Sequence, residues 1–185
     1  PLIVHVASTQ QMEQYVRTIP EVAHKLIQEF MPGPITIILE SNGTIANNVT
    51  AGLSTIGMRI PDHPVAKKLI EVSGLPLAAP SANRSGKPSP TSADHVYHDL
   101  NGRVAGILDG GPTGVGLEST VVDCTTEVPV ILRSGGVTKE EMKRIVGDVM
   151  IDPALIQTNQ QPKSPGMKYN HYEPDVPLYL VEGDV

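Results

Sequence analysis

The chain has no tryptophan, one phenylalanine and a single cysteine. A core for 185 residues must then be built from Val, Ile, Leu, Ala and Met, with five tyrosines as the only other aromatics. The lone Cys124 excludes an intrachain disulfide and a cysteine zinc site. It fits a reducing compartment such as the cytoplasm. No apolar run approaches the roughly 20 residues of a membrane span, so no membrane partner is expected. Basic runs are also missing. The longest is Lys67-Lys68, and the net charge is −6. A protein that holds nucleic acid mainly by neutralising phosphates is expected to be basic. Bulk charge therefore gives no support for an RNA-binding module, although a small cationic nucleotide pocket stays compatible with it.

Glycine and proline are abundant, at 17 each. They predict many tight turns and places where backbone approaches something closely. They show no period, which argues against collagen and low-complexity disorder. Length and composition suit one globular domain of ordinary size plus a tail. The chain begins at Pro1 inside a strand-like run rather than with Met, so upstream residues are expected.

Hydrophobic periodicity predicts strands at residues 2–6, 35–39, 55–60, 77–79, 104–108, 119–124, 128–132 and 149–151. A helix capped by Ser8 or Thr9 is predicted through Met12, Val16 and Ile19. A second starts at Pro20, with Val22, Leu26 and Phe30 on one face. Asn42-Gly43 reads as a hairpin-like turn. Asp62 is the predicted cap of a helix over 63–72, closed by Gly74. Residues 91–100 look helical, and Thr138 to Glu141 form a capping box. The mixture implies an α/β domain with a single twisted mixed sheet flanked by helices, without repeats. From about residue 153 the chain turns polar and proline-rich and reads as a linker.

Four segments could carry chemistry. Ser81-Ala82-Asn83 follows a short apolar strand, where ligands gather in open α/β sheets; an ordinary Ser/Asn turn has the same composition. Arg59 ends a strand and is suited to a carboxylate clamp or to a structural salt bridge. The glycine-rich stretch 110–118 precedes a strand at Ser119. It lacks the Gly-Lys-Ser/Thr of a P-loop and the following helix of a dinucleotide fingerprint, so a plain loop is the competing reading. Arg133 ends another strand and is a candidate phosphate ligand. These features could meet at one edge of the sheet. His95 and His98 lie i,i+3 on a predicted helix, where a solvated face is favoured over a metal site. His5 sits in an apolar strand and, unaided, reads as a core or edge histidine.

The segments PLIVHV, MPGPITIIL, GLSTIGMRIPDHP, LPLAAPSANRSGKPSPT, STVVDC with ILRSGG, and SPGMKYNHYEP occur in this order. Together the chain resembles the YrdC-like threonylcarbamoyl-AMP synthase family in its long, two-domain form. The resemblance implies a fold with a concave nucleotide-binding face and a reaction of L-threonine, bicarbonate and ATP. The products would be threonylcarbamoyl-AMP and pyrophosphate, with Mg²⁺ on the phosphates. A tRNA threonylcarbamoyl-transfer complex would act downstream at tRNA position 37. By similarity, His5, Arg59, Ala79 and Ser119 match threonine-binding positions. Thr55, Ser81, Asn83, Ser89, Arg133, Lys168, His171 and Tyr172 match positions around ATP. The resemblance divides the chain into a catalytic domain at 1–152, a linker or lid at 153–177 and the start of a further domain at 178–185. The family's Lys-x-Arg element lies just before the strand that begins here. Two other classes compete: a non-catalytic RNA- or nucleotide-binding module that contacts tRNA directly, and carbamoyl transfer of the hydrogenase-maturation type. The PGMKYNHYEP segment argues against the latter.

Overall fold

A computed structural model describes residues 1–153, and by contacts the chain divides into two compact units. The first comprises residues 1–80 and 114–153 among those described, and the second comprises residues 81–113.

The first unit is built on seven strands: β1 (Ile3–His5), β2 (Ile35–Glu40), β3 (Thr55–Arg59), β4 (Leu77–Ala79), β5 (Thr120–Asp123), β6 (Val130–Arg133) and β7 (Met150–Ile151). They form one sheet in the order β4-β1-β3-β2-β5-β6-β7. The pairs β1–β3, β2–β5 and β6–β7 are parallel, and the other three are antiparallel. The mixed α/β sheet expected from the sequence is therefore present. β2 is its middle strand, and its ITIIL run is buried along its length, as a strand covered on both faces requires.

Helices α1 (Thr9–Glu13), α2 (Glu21–Phe30) and α6 (Lys139–Val146) cover one face. Met12, Leu26, Ile27 and Met142 pack there with Val4, Ile37, Met58 and Val122 of the strands. α2 forms because Val22, Ala23, Leu26, Ile27 and Phe30 recur at helical spacing. A Glu21–Lys25 ion pair of 2.8 Å on its exposed side adds little to stability. α6 opens with the predicted capping box of Thr138 and Glu141. Two further helices, α3 (Asn47–Thr50) and α4 (Pro64–Ser73), complete the first unit. The second unit contains α5 (Ala93–Leu100), capped by Ser92 and with no buried residue.

Four local expectations need correction. The first helix stops at Glu13 instead of running to Ile19. Val16 instead bridges Ser41, and the Arg17 amide donates to the Glu40 carbonyl at 2.9 Å, so strand pairing captures this segment. The N-cap of α4 is His63, not Asp62, and no side chain caps it by a hydrogen bond. Pro64 accounts for where the helix starts, because a residue before proline is held extended and so His63 stays outside it. Asn42-Gly43 is not a two-residue hairpin. The Asn42 carboxamide oxygen accepts from the Thr44 amide at 3.1 Å, and α3 lies between β2 and β3. Residues 104–108 are not a strand; Val104, Ile107 and Leu108 are exposed in the second unit. A β-rich run with no neighbouring edge to pair with stays irregular.

Candidate functional site: a cationic row across the sheet

Successive side chains of a strand point to opposite faces. Val4, Ile56 and Met58 enter the helix-covered core. Ile3, His5, Thr55, Gly57 and Arg59 therefore lie on the other face. His5 pairs with Arg59, Thr36 with Val121, and Val121 with Arg133. Ile37 pairs with Met58, so one step along β2 brings Thr36 beside Arg59. His5, Arg59, Thr36 and Arg133 thus form a row across five strands. Beneath it a small apolar cluster of Ile38, Val121 and Leu132 closes this side of the sheet.

Backbone carbonyls aim the two arginines. Arg59 Nε donates to the Gly33 carbonyl at 2.9 Å. Arg133 Nε and Nη2 donate to the Ser119 carbonyl at 3.1 and 2.9 Å, and Nη2 also reaches Ser119 Oγ at 3.1 Å. Ser119 Oγ lies 2.8 Å from Thr36 Oγ1 in a buried contact. Burial first, and the neighbouring Arg133 charge second, lower the Arg59 pKa from its ordinary value. Arg59 remains a cation all the same, because a guanidinium stays protonated in proteins. Two cations on one face of the sheet are residue types suited to a carboxylate or a phosphate.

His5 adds a different capability. Its Nδ1 lies 3.3 Å from the Leu77 carbonyl. A carbonyl can only accept, so Nδ1 carries the proton. Burial, then the Arg59 charge, hold the His5 pKa below 6.5. The ring is neutral at pH 7 and its Nε2 is an acceptor.

Glycines make the close approaches possible. A Cβ on Gly135 would lie 2.3 Å from the Glu118 carbonyl oxygen and 2.6 Å from the Ser119 carbonyl carbon. The Gly136 amide donates to the Glu118 carbonyl at 3.1 Å. On the other side, the Pro34 carbonyl accepts from the Thr120 amide at 2.9 Å. The Arg-Ser-Gly-Gly and Pro-Gly-Pro segments are thus two clamps on the start of β5.

The second unit carries Ser81, Asn83 and Ser89. Asn83 Nδ2 donates to the carbonyls of Arg84 and Lys87 at 2.9 and 3.0 Å. Its Oδ1 is buried and has no partner among the described residues, and a buried acceptor in that state is costly unless something satisfies it. The Arg84 amide donates to Asp99 of α5 at 3.1 Å, tying the loop to the helix. His95 and His98 are exposed. Among the described residues no group of three or more His, Cys, Asp or Glu could hold a metal ion, and no helix is long and apolar enough to cross a membrane. Burial, then Asp123, pushes the Cys124 thiol up to about 12, which leaves it inert.

Of the residues singled out from the sequence, His5, Arg59, Ser119 and Arg133 come together in the first unit. Thr55 lies on the same face at the far end of β3, opposite Glu40. Ala79 is exposed and pairs with Ile3, two positions along β1 from the His5 row. Lys168, His171 and Tyr172 lie outside the described residues. Sequence reasoning missed Thr36, Gly33 and Gly135. Thr36 is the one polar residue in an otherwise apolar strand run, and that interruption was the available signal.

Residues 1–135 match the Sua5–YciO–YrdC family described as "Telomere recombination". Residues 137–185 match the family described as "Threonylcarbamoyl-AMP synthase, C-terminal domain". The chain is 54% identical to the threonylcarbamoyl-AMP synthase of Bacillus subtilis, over 99% of this chain and 53% of that protein. The crystal structure of Pyrococcus abyssi Sua5 complexed with L-threonine superposes with a TM-score of 0.90 at 48% identity, covering 94% of this chain and 52% of that one. Escherichia coli YciO superposes with a TM-score of 0.69 at 26% identity, covering 76% of this chain and 68% of that one. The chain spans about half the length of the first two relatives. By sequence and by fold, the chain belongs to the Sua5–YciO–YrdC family.

Proposed function

We propose that this chain is the substrate-handling part of a threonylcarbamoyl-AMP synthase. It would join L-threonine, bicarbonate and ATP into threonylcarbamoyl-AMP, releasing pyrophosphate and water. The observation that carries this reading is the placing of Arg59 and Arg133, the latter on Ser119, on the sheet face away from α1, α2 and α6. The relative that superposes at a TM-score of 0.90 was solved with L-threonine, which supports the amino-acid half of the site.

Arg59 takes the threonine carboxylate, Ser119 donates to it, and His5 Nε2 accepts from an N–H or O–H of the amino acid. Ala79 offers backbone beside them. By the family resemblance, Thr55, Ser81, Asn83, Ser89 and Arg133, with Lys168, His171 and Tyr172 of the 153–177 linker, are the residues assigned to ATP. A carbamate oxygen formed on the threonine nitrogen attacks the α-phosphorus, and the α–β bridging P–O bond breaks as pyrophosphate leaves. Positioning and charge stabilisation carry this step, with no covalent enzyme intermediate. The described residues do not form a metal site, so Mg²⁺ would enter on the nucleotide as part of the substrate. The product would pass to a tRNA threonylcarbamoyl-transfer complex in the cytoplasm.

The test is pyrophosphate release from ATP with bicarbonate, with and without L-threonine. Release that depends on threonine is expected. Threonine-independent release, or none together with salt-sensitive binding of unmodified tRNA, would instead favour an RNA-binding module.

A further inference from the structure

Thr36 is completely buried, and among the described residues the hydrogen-bond partner of its hydroxyl is Ser119 Oγ, at 2.8 Å. Ser119 is also buried, and its Oγ lies 3.1 Å from Arg133 Nη2, which can only donate. These contacts limit where the protons can sit. A hydroxyl has one proton and two lone pairs. If Ser119 gave its proton to Thr36, the Thr36 proton would be left buried without an acceptor, at the cost of desolvating it. With Thr36 donating to Ser119, the proton left over is that of Ser119, in the row with Arg59 and Arg133, where an anionic ligand can accept it, so a ligand at the row selects this arrangement. Both lone pairs of Ser119 Oγ are then filled, one by Thr36 and one by Arg133. Its own proton is the one capability left.

Packing holds Thr36 in the required rotamer. Thr36 is β-branched and stiff at χ1. A Cβ at position 57 would lie 3.2 Å from the Thr36 methyl, so Gly57 leaves the space that this methyl occupies. With the methyl over Gly57, the hydroxyl faces Ser119.

We propose that Thr36 is a positioning residue that makes Ser119 a dedicated hydrogen-bond donor to the carboxylate of the amino-acid substrate. This deepens the proposed function and rests on it. Thr36 touches no substrate; it acts through Ser119. The bland alternative is that Thr36 merely fills space under the sheet, in which case the isosteric Thr36→Val would be silent toward ligand.

The experiment is calorimetric titration of the full chain with L-threonine in the wild type, T36V, T36S, S119A and the T36V/S119A double variant. T36V is expected to weaken binding about tenfold, the scale of one hydrogen bond to a charged group. T36S keeps the hydroxyl and is expected to stay within about twofold of wild type on the same scale. In the S119A background T36V is expected to change nothing, since the two act as one unit. Undiminished binding by T36V overturns the inference alone, and so does an equal loss in both backgrounds. Absence of threonine binding by the wild type overturns the substrate reading and this inference with it.

Discussion

The two units hold their functional groups by opposite means. In the first, His5, Arg59, Ser119 and Arg133 come from four separated stretches of chain and meet only because strands pair. All the buried hydrophobic residues among those described belong to this unit. In the second, Asn83 organises its own neighbours, bonding the carbonyls of Arg84 and Lys87 across a few residues. The contrast teaches where strain and adaptability reside. A group aimed by a packed sheet is rigid and costly to move, whereas a loop organised by local hydrogen bonds can open without unfolding the core.

Glycine substitution is the most severe way to test that contrast. Gly135→Ala places a methyl against the Glu118 and Ser119 backbone. It should cost about 3 kcal/mol or more, a drop of roughly 6–12 °C in Tm by thermal denaturation. Gly106 in the second unit has nothing within 4 Å of an added Cβ. Gly106→Ala should stay within about 0.5 kcal/mol of wild type. Equal losses in the two variants would break the comparison.

Next in size is Arg59→Ala. Loss of the charged clamp should weaken L-threonine binding by about a hundredfold in calorimetry, while the fold persists. Full binding by this variant would remove Arg59 from the site.

A smaller effect follows from His5. The unfolded histidine takes a proton near 6.5, whereas the folded one does so only at lower pH. Its contribution to stability is therefore complete above pH 6.5 and lost as pH falls through the folded pKa. Threonine affinity should fall only at lower pH, below the folded pKa, where the ring of the folded chain takes its proton, and by no more than about tenfold per pH unit. His5→Gln should flatten both profiles, and a profile unchanged in that variant would assign the titration to another group.

The smallest global effect should come from Asn83→Ala. Amide exchange at residues 84–87 should speed up about tenfold, while Tm moves by about 1 °C or less. A large fall in Tm would show that this loop is as strongly coupled to a core as the strand ends are.

Much of this was legible in the sequence, for reasons that differ from residue to residue. The β-rich runs of β2 and β5 and the capping box of α6 announce themselves because their signals are local. Arg59 and Arg133 were readable as strand-end cations, since a charge closing an apolar run needs a reason. Their mutual approach was not readable, because β2 brings them together from outside both of their segments. Residues 104–108 misled because β-propensity carries no information about whether an edge is available. Residues 14–17 misled because helical spacing continued where strand pairing at Ser41 and Glu40 took over. Thr36 stayed hidden because a single hydroxyl in a buried strand looks like packing until its partner, 83 residues away, is known.

That separation bears on how the protein assembles. β2 is the seam between two three-strand halves, and the cationic row crosses it. Closing so long a loop is entropically late work, and contacts of this range set the pace of folding. An anion seated between Arg59 and Arg133 would act as a rivet across the seam, since it binds only after both halves have met. Substrate would then do more than react here: it would report, and reward, the completion of the fold.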